Sequence, residues 1–252
     1  MRMARAVLRG SGLALITAAG LPVVALLRLQ PLGARLSARL SARVVRLWAS
    51  VATRLLGMRL RSSGPIPTVP FVLVANHLGY VDIVALASRL DCTFVARADL
   101  AGWPILGALS SVIGAIYVDR QRPRSLRAAI TGIEGALGEG RGVVIFPEGT
   151  TTAGDGVLPF RSSLLEGAAR ARRPVHHARL AYRAMPGEKD AGTSICWWGE
   201  MTFWRHLAAL LAHPGFAARI AFGPRPITST DRKVLAEALW RQVRSGRRQP
   251  AY

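Results

Sequence analysis

A histidine and an aspartate stand five residues apart, directly after an apolar run. The run 71–75 (FVLVA) is followed by Asn76 and His77, and Asp82 comes after the histidine. A neutral imidazole can take the proton of an attacking hydroxyl group, and a carboxylate on its other ring nitrogen fixes the tautomer and stabilises the imidazolium. The pair therefore has the chemistry of a general base that activates a hydroxyl nucleophile.

The spacing of this pair requires a turn between its members. On a continuous helix the two side chains would lie about 140° apart, so His77 and Asp82 meet only if the chain turns. Gly79 permits the turn, and Asp82 then falls in the first turn of a helix that starts near Tyr80. We expect both side chains at the carboxyl edge of a strand, where open α/β sheets place their sites.

Two later apolar runs also end in polar residues. The run 113–118 ends at Asp119 and Arg120, and the run 143–146 is followed by Pro-Glu-Gly-Thr at 147–150. Each pattern by itself is typical of a surface ion pair or an ordinary turn. Their order along the chain, after the histidine motif, is more informative.

The three segments together resemble the 1-acylglycerol-3-phosphate acyltransferase family of the glycerolipid acyltransferase superfamily. The family's Asn-His-x4-Asp motif is matched by Asn76, His77 and Asp82, and its Phe-Pro-Glu-Gly-Thr motif by residues 146–150. The motif Gly-x-x-Phe-Val-Asp-Arg is matched at 114–120 with tyrosine in place of phenylalanine. The resemblance covers about residues 65–225.

The sequence departs from the family in two places. Pro174 and Val175 match the fourth motif in part, because His177 stands where the family has a second proline. A Pro-Phe-Lys-x-Gly-Ala segment is also changed, with Arg161 for the lysine and Ser163 for the glycine.

The resemblance implies transfer of an acyl group from a thioester to the hydroxyl of a lysolipid. His77 is the implied base and Asp82 its partner, with no nucleophilic serine or cysteine, because the acceptor hydroxyl itself attacks. Arg120 is the first candidate for a phosphate contact and Arg161 the second, and the backbone around Gly149 is a candidate oxyanion donor. The substrate-binding residues implied by the resemblance are Asn76, Gly114, Asp119, Arg120, Glu148, Gly149, Thr150 and Arg161.

Two acceptors remain open at this point. The first expectation is 1-acyl-sn-glycerol-3-phosphate, which gives phosphatidic acid, and the alternative is lyso-ornithine lipid, whose acyltransferases carry the same motifs. The donor is acyl coenzyme A or acyl-acyl carrier protein, used as a co-substrate, and neither a metal nor another cofactor is expected. A basic membrane-binding protein without activity is a more distant alternative.

The composition favours a polyanionic partner. The chain has 252 residues and a net charge of +20, and 32 of its 34 basic residues are arginine. A nucleic-acid partner is not expected, because the sequence has no helix-turn-helix or RNP-like pattern and no aromatic residues interleaved with the arginines. A serine hydrolase is not expected either, because no Gly-x-Ser-x-Gly is present. An anionic bilayer surface is therefore the expected polyanionic partner.

The first 62 residues predict a membrane-associating arm. Residues 10–27 carry no charge between Arg9 and Arg28, which corresponds to about 27 Å of helix and suits a spanning, kinked or re-entrant segment. Residues 33–59 predict a basic amphipathic helix of the kind that lies on anionic lipid. One arc of that helix carries Arg35, Arg39, Arg43, Arg46 and Arg54. We expect the inner membrane, on its cytoplasmic face.

The rest of the chain predicts an α/β fold, with a single mixed sheet flanked by helices. Apolar runs of strand length alternate with helix-like stretches from about residue 65. The expected organisation is a helical arm at 1–62, an acyltransferase domain at 63–228 and a C-terminal helix with its tail at 229–252. Strands are predicted at 71–75, 93–96, 113–118, 143–146, 175–181, 193–198 and 217–222. Helices are predicted at 81–90, 103–110, 123–139, 162–171, 202–212 and 231–246.

Overall fold

Two long helices open the chain. The computed structural model describes residues 1–29, 33–103, 107, 110, 113–119 and 122–246. Helix α1 is Arg2–Leu29 and helix α2 is Ala34–Leu55. The two pack side by side, and the indole Nε1 of Trp48 donates to Thr17 Oγ1 over 3.0 Å.

In the described residues, seven strands form one mixed sheet in the order β1-β7-β6-β2-β5-β3-β4. All neighbouring pairs are parallel except β6 and β7. The strands are β1 (Met58–Ser63), β2 (Val72–Ala75), β3 (Cys92–Arg97), β4 (Ile116–Val118), β5 (Gly142–Ile145), β6 (Val175–Ala184) and β7 (Phe216–Phe222). The predicted α/β class with a single mixed sheet is confirmed.

Helices cover both faces of the sheet, which explains the apolar strand sequences. Leu73 and Ala75 of β2 belong to one core cluster, and Val72 and Val74 belong to the other. A strand buried on both faces has no polar alternation, so β2 is an uninterrupted apolar run. The remaining helices are α3 (Val81–Ala87), α4 (Pro123–Gly138), α5 (Glu166–Arg170), α6 (Ala191–Ser194), α7 (Phe203–Ala212) and α8 (Arg232–Ser245).

Two sequence predictions differ from the structure. The predicted strand 193–198 is instead the end of the short helix α6 and an irregular segment, because Asp190 caps the helix by accepting from the Gly192 N–H. The predicted helix 33–59 ends at Leu55, and β1 follows as an edge strand with Met58 opposite Phe216 of β7. The expected domain boundary at residue 62 therefore falls inside β1. The predicted helix 103–110 includes residues outside the described ranges.

The amphipathic helix α2 packs largely on protein. Its buried residues Ala49 and Ala52 face the α/β domain, and Arg46 pairs with Asp91 over 3.3 Å. Part of the apolar arc expected to face lipid is therefore covered by α1 and by the sheet. Leu36 and Leu47 remain exposed.

Helix α1 is long and apolar enough to cross a membrane by length and composition. Its apolar window has a mean hydropathy of 2.0, and only 6% of that window is buried, so α1 is not a core helix. Both ends nevertheless contact the α/β domain. Arg5 donates to the carbonyl of Ala212 over 3.1 Å, and the Arg28 guanidinium lies 2.8 Å from where a Cβ would stand on Gly114. Helix α1, about 42 Å long, therefore lies along the domain.

Candidate active site

The turn after β2 brings His77 and Asp82 together. Helix α3 begins at Val81, so Asp82 lies in its first turn, and His77 Nδ1 is 2.7 Å from Asp82 Oδ2. The turn requires a glycine at position 79, where φ is +152° and the backbone of Trp197 lies close. A Cβ there would stand 2.9 Å from the amide nitrogen of Trp197, and this N–H donates to the Leu78 carbonyl over 2.8 Å. Only glycine fits this turn.

Asp82 is a fully buried carboxylate with a donor for each oxygen. Oδ2 accepts from the N–H groups of Leu78 (2.6 Å) and Gly79 (3.1 Å) in addition to its contact with His77. Oδ1 accepts from the hydroxyl of Tyr182 over 2.6 Å. The side chain is 0% exposed. These bonds compensate for burial and hold the carboxylate in one orientation towards the histidine.

The imidazole of His77 is held in place and is partly exposed. Its ring stacks on Phe146 with centroids 4.0 Å apart and an interplanar angle of 12°. The side chain is 22% exposed. Because Nδ1 faces Asp82, Nε2 is the nitrogen left to take a proton from a substrate hydroxyl.

Glu148 holds the backbone of the turn between β2 and α3. Its Oε1 accepts from the His77 N–H and its Oε2 from the Leu158 N–H, each over 2.7 Å. The residue is 3% exposed, and burial raises the pKa of this carboxyl while the two backbone N–H groups oppose the rise. Sequence reasoning placed Glu148 among the substrate-binding residues. The structure instead directs both oxygens at backbone donors.

Asn76 and Gly114, both predicted to bind substrate, take part in other contacts. The Asn76 amide is buried and pairs with β6, donating to the Leu180 carbonyl and accepting from the Leu180 N–H. It is a structural link between strands. Gly114 precedes β4, so it lies at the amino edge of the parallel strands, opposite the edge that carries His77. Arg120 lies outside the described residues.

The other predicted residues follow the carboxyl ends of β4 and β5. Asp119 comes directly after β4, and its carboxylate pairs with Arg122 over 3.2 Å. The Gly149 N–H donates to the Phe146 carbonyl over 3.2 Å, within a turn. Thr150 and Arg161 are exposed near the same turn, and the Arg161 N–H donates to the Pro147 carbonyl.

Tyr182 is the site residue that sequence reasoning missed. It lies in β6, 100 residues after Asp82, and matches no motif. Only the pairing of β6 beside β2 brings it to the dyad. No local signal in the sequence identifies it.

The two cysteines are buried, and their thiols stay protonated. Burial raises the thiol pKa of Cys92, and burial together with the nearby Asp82 raises the pKa of Cys196 to about 12. Neither is a thiolate at neutral pH, so neither is a reactive nucleophile. Within the described ranges, no group of histidine, cysteine, aspartate or glutamate side chains is arranged to hold a metal ion.

Comparison with known proteins agrees with the α/β fold described above. The family described as Acyltransferase matches residues 58–179. The 1-acyl-sn-glycerophosphate (LPA) acyltransferase PlsC of Thermotoga maritima has the same fold, with a TM-score of 0.68 and 19% identity over 99% of each chain. The chain therefore has the fold of the acyltransferase PlsC.

Curated relatives extend the likeness beyond the motifs. The lyso-ornithine lipid O-acyltransferase of Rhodobacter capsulatus is 34% identical over 96% of this chain and 90% of its own length. That of Rhizobium meliloti is 34% identical over 70% of this chain, which spans 64% of that protein. The 1-acyl-sn-glycerol-3-phosphate acyltransferase of Neisseria gonorrhoeae is 29% identical over 57% of this chain and 60% of its own length. The chain belongs to the Acyltransferase family.

Proposed function

We propose that this protein transfers a fatty acyl group from a thioester to the free hydroxyl of a lysolipid, with His77 as general base. The observation that supports this most is the 2.7 Å contact between His77 Nδ1 and the buried Asp82, which leaves Nε2 of a 22% exposed side chain for the substrate. Nε2 removes the hydroxyl proton as the oxygen attacks the thioester carbonyl. The tetrahedral intermediate then expels the thiolate, which takes the proton back from the imidazolium and leaves as a thiol.

We propose lyso-ornithine lipid as the preferred acceptor. The support is the extent of the likeness, because the Rhodobacter capsulatus relative aligns over 96% of this chain while the Neisseria gonorrhoeae relative aligns over 57%. The second candidate is 1-acyl-sn-glycerol-3-phosphate, which the shared motifs favour equally. Donors of both kinds, acyl coenzyme A and acyl carrier protein thioesters, are acidic and suit a chain of net charge +20.

An acceptor assay tests this choice. Purified protein is incubated with each lysolipid and each donor, and the lipid products are resolved by mass. We expect ornithine lipid to form with a kcat/KM at least ~10-fold above that for phosphatidic acid, which corresponds to about 1.4 kcal/mol of discrimination. Preferential formation of phosphatidic acid would reverse the assignment, and the His77→Ala protein is the blank for both acceptors.

We further propose that the arm holds the enzyme on the cytoplasmic face of the inner membrane without crossing it. Both ends of α1 contact the α/β domain, so the helix lies along the domain instead of leaving it. Large apolar side chains on α1 are exposed, including Val7, Leu8 and Leu15. Apolar burial of this face and arginines near anionic lipid together explain a site that serves a bilayer acceptor and a soluble donor.

Charge reversal on α2 tests this attachment. Arg35, Arg39 and Arg43 are exposed, and each is worth about 1 kcal/mol near an anionic surface. Changing all three to glutamate is expected to lower binding to anionic vesicles by at least ~10²-fold and binding to neutral vesicles much less, measured by flotation.

The control is a triple variant with the same change of charge at three arginines outside the arm. Arg124 and Arg127 on α4 and Arg172 after α5 are also exposed, and α4 packs against the opposite core cluster. Reversing these three is expected to leave flotation within about threefold of the parent protein. An equal loss in both triple variants would show that net charge, and not the arm, binds the membrane.

A further inference from the structure

The carboxylate of Asp82 has two oxygens with different partners. Oδ2 faces the catalytic turn and accepts from His77, Leu78 and Gly79. In the part of the chain that the structure describes, Oδ1 has one hydrogen-bond donor, the hydroxyl of Tyr182 at 2.6 Å. The orientation of the carboxylate therefore depends on a side chain from β6 as well as on its own turn.

We propose that Tyr182 is a positioning residue for the reaction, acting on His77 through Asp82. Tyr182 donates to Oδ1 and so orients Oδ2 towards the imidazole and draws part of the carboxylate charge away from it. The inference rests on the proposed acyl transfer and adds a third member, His77–Asp82–Tyr182, to its machinery.

The surroundings of Tyr182 suit a permanent donor. Burial and the neighbouring Asp82 raise the pKa of the phenol well above its usual value, so it keeps its proton at working pH. The ring of Tyr182 lies edge-on to Phe216, with centroids 5.8 Å apart, and this contact holds the hydroxyl in place. Cys196, another titratable group near Asp82, stays neutral with a pKa of about 12.

Tyr182→Phe removes the hydroxyl and little else. We expect kcat to fall roughly 10-fold with both KM values unchanged, because the half-buried Tyr182 acts through its hydrogen bond to Asp82 and not on the substrate. Without the hydroxyl, Asp82 keeps more charge and holds the imidazolium more strongly. The acid limb of the pH–rate profile should therefore move to higher pH by roughly half a unit.

Glu148 also lies beside His77, but the Tyr182→Phe substitution does not change its contacts. Its oxygens bind the backbone N–H groups of His77 and Leu158 and not Tyr182, so the substitution leaves Glu148 unchanged. A shift of the acid limb thus reports on the dyad. The matched control is Tyr80→Phe, which removes another partly buried hydroxyl, bonded to His206 Nδ1 at 2.9 Å, and should not move the profile.

Two further measurements distinguish positioning from a structural role. In an Asp82→Asn background, Tyr182→Phe is expected to cost less than threefold more, because both changes interrupt one relay. The downfield imidazole proton resonance, assigned by its loss in His77→Ala, should shift in Tyr182→Phe and stay unchanged in Tyr80→Phe. The spectrum is independent of turnover, so it tests the relay even if the proposed acyl transfer fails.

An unmoved pH profile, a resonance identical to that of the parent protein, or full additivity with Asp82→Asn would overturn the proposal. In that event Tyr182 only packs β6 against the core. Thermal unfolding of each variant checks that the folded protein is being compared.

Discussion

Replacing His77 with alanine is expected to lower kcat by at least ~10²-fold, the low end of the contribution of a general base. The acceptor hydroxyl loses the nitrogen that takes its proton. The fold should persist, because Asp82 Oδ2 keeps the N–H donors of Leu78 and Gly79 when the imidazole is gone. Initial rates at saturating acceptor and donor measure the loss, with thermal unfolding as the check on folding.

His176→Ala is the matched control for this change. His176 is the neighbouring β6 residue of His177 and contacts the ring of Phe71, away from the dyad. Its removal is expected to leave kcat within about threefold of the parent value. Near-normal turnover of folded His77→Ala protein would show that another group accepts the proton, and the proposed mechanism would be wrong.

Replacing Glu148 with glutamine is expected to lower kcat by about 10- to 100-fold and to lower the melting temperature. The carboxylate accepts from two backbone N–H groups, and a glutamine amide offers one oxygen, so its NH₂ group opposes either the His77 or the Leu158 N–H. Leaving a buried donor unpaired costs about 1–3 kcal/mol, and the same energy holds the turn that carries His77. Steady-state kinetics and calorimetry give the two effects.

The kinetic pattern separates this role from substrate binding. If Glu148 contacted the acceptor hydroxyl, the glutamine variant would raise the acceptor KM and leave the melting temperature unchanged. Glu237→Gln on α8 is the matched control, since Glu237 pairs with Arg241 at the surface over 2.8 Å. A surface pair of this kind contributes little, so the control should behave as the parent protein.

The dyad could be predicted from the sequence because it is local. His77, Gly79 and Asp82 lie within one turn between β2 and α3, and only the chemistry of three nearby residue types is needed to bring the two side chains together. The sheet could be predicted for a similar reason. A strand such as β2 is buried on both faces, so its sequence is an unbroken apolar run whatever its neighbours are.

Edge and irregular segments could not be predicted in the same way. The sequence of β1, MRLRSS, has no strand-length apolar run, because this edge strand gains its stability from parallel pairing with β7, more than 150 residues away. The segment 193–198 is apolar without being a strand. Ile195 and Cys196 are buried in the core beside the catalytic turn, and no ladder partner is assigned to them in the described part of the sheet.

The sequence by itself determined the His77–Asp82 pair, the α/β class and the basic, apolar arm, because each depends on local spacing or composition. Only the tertiary structure decided that Glu148 holds the backbone, that Asn76 joins strands, and that Tyr182 reaches Asp82 across 100 residues. It also placed both ends of α1 on the domain. Such contacts depend on which strands become neighbours in the sheet, and strand order follows from burial across the whole core rather than from any single segment.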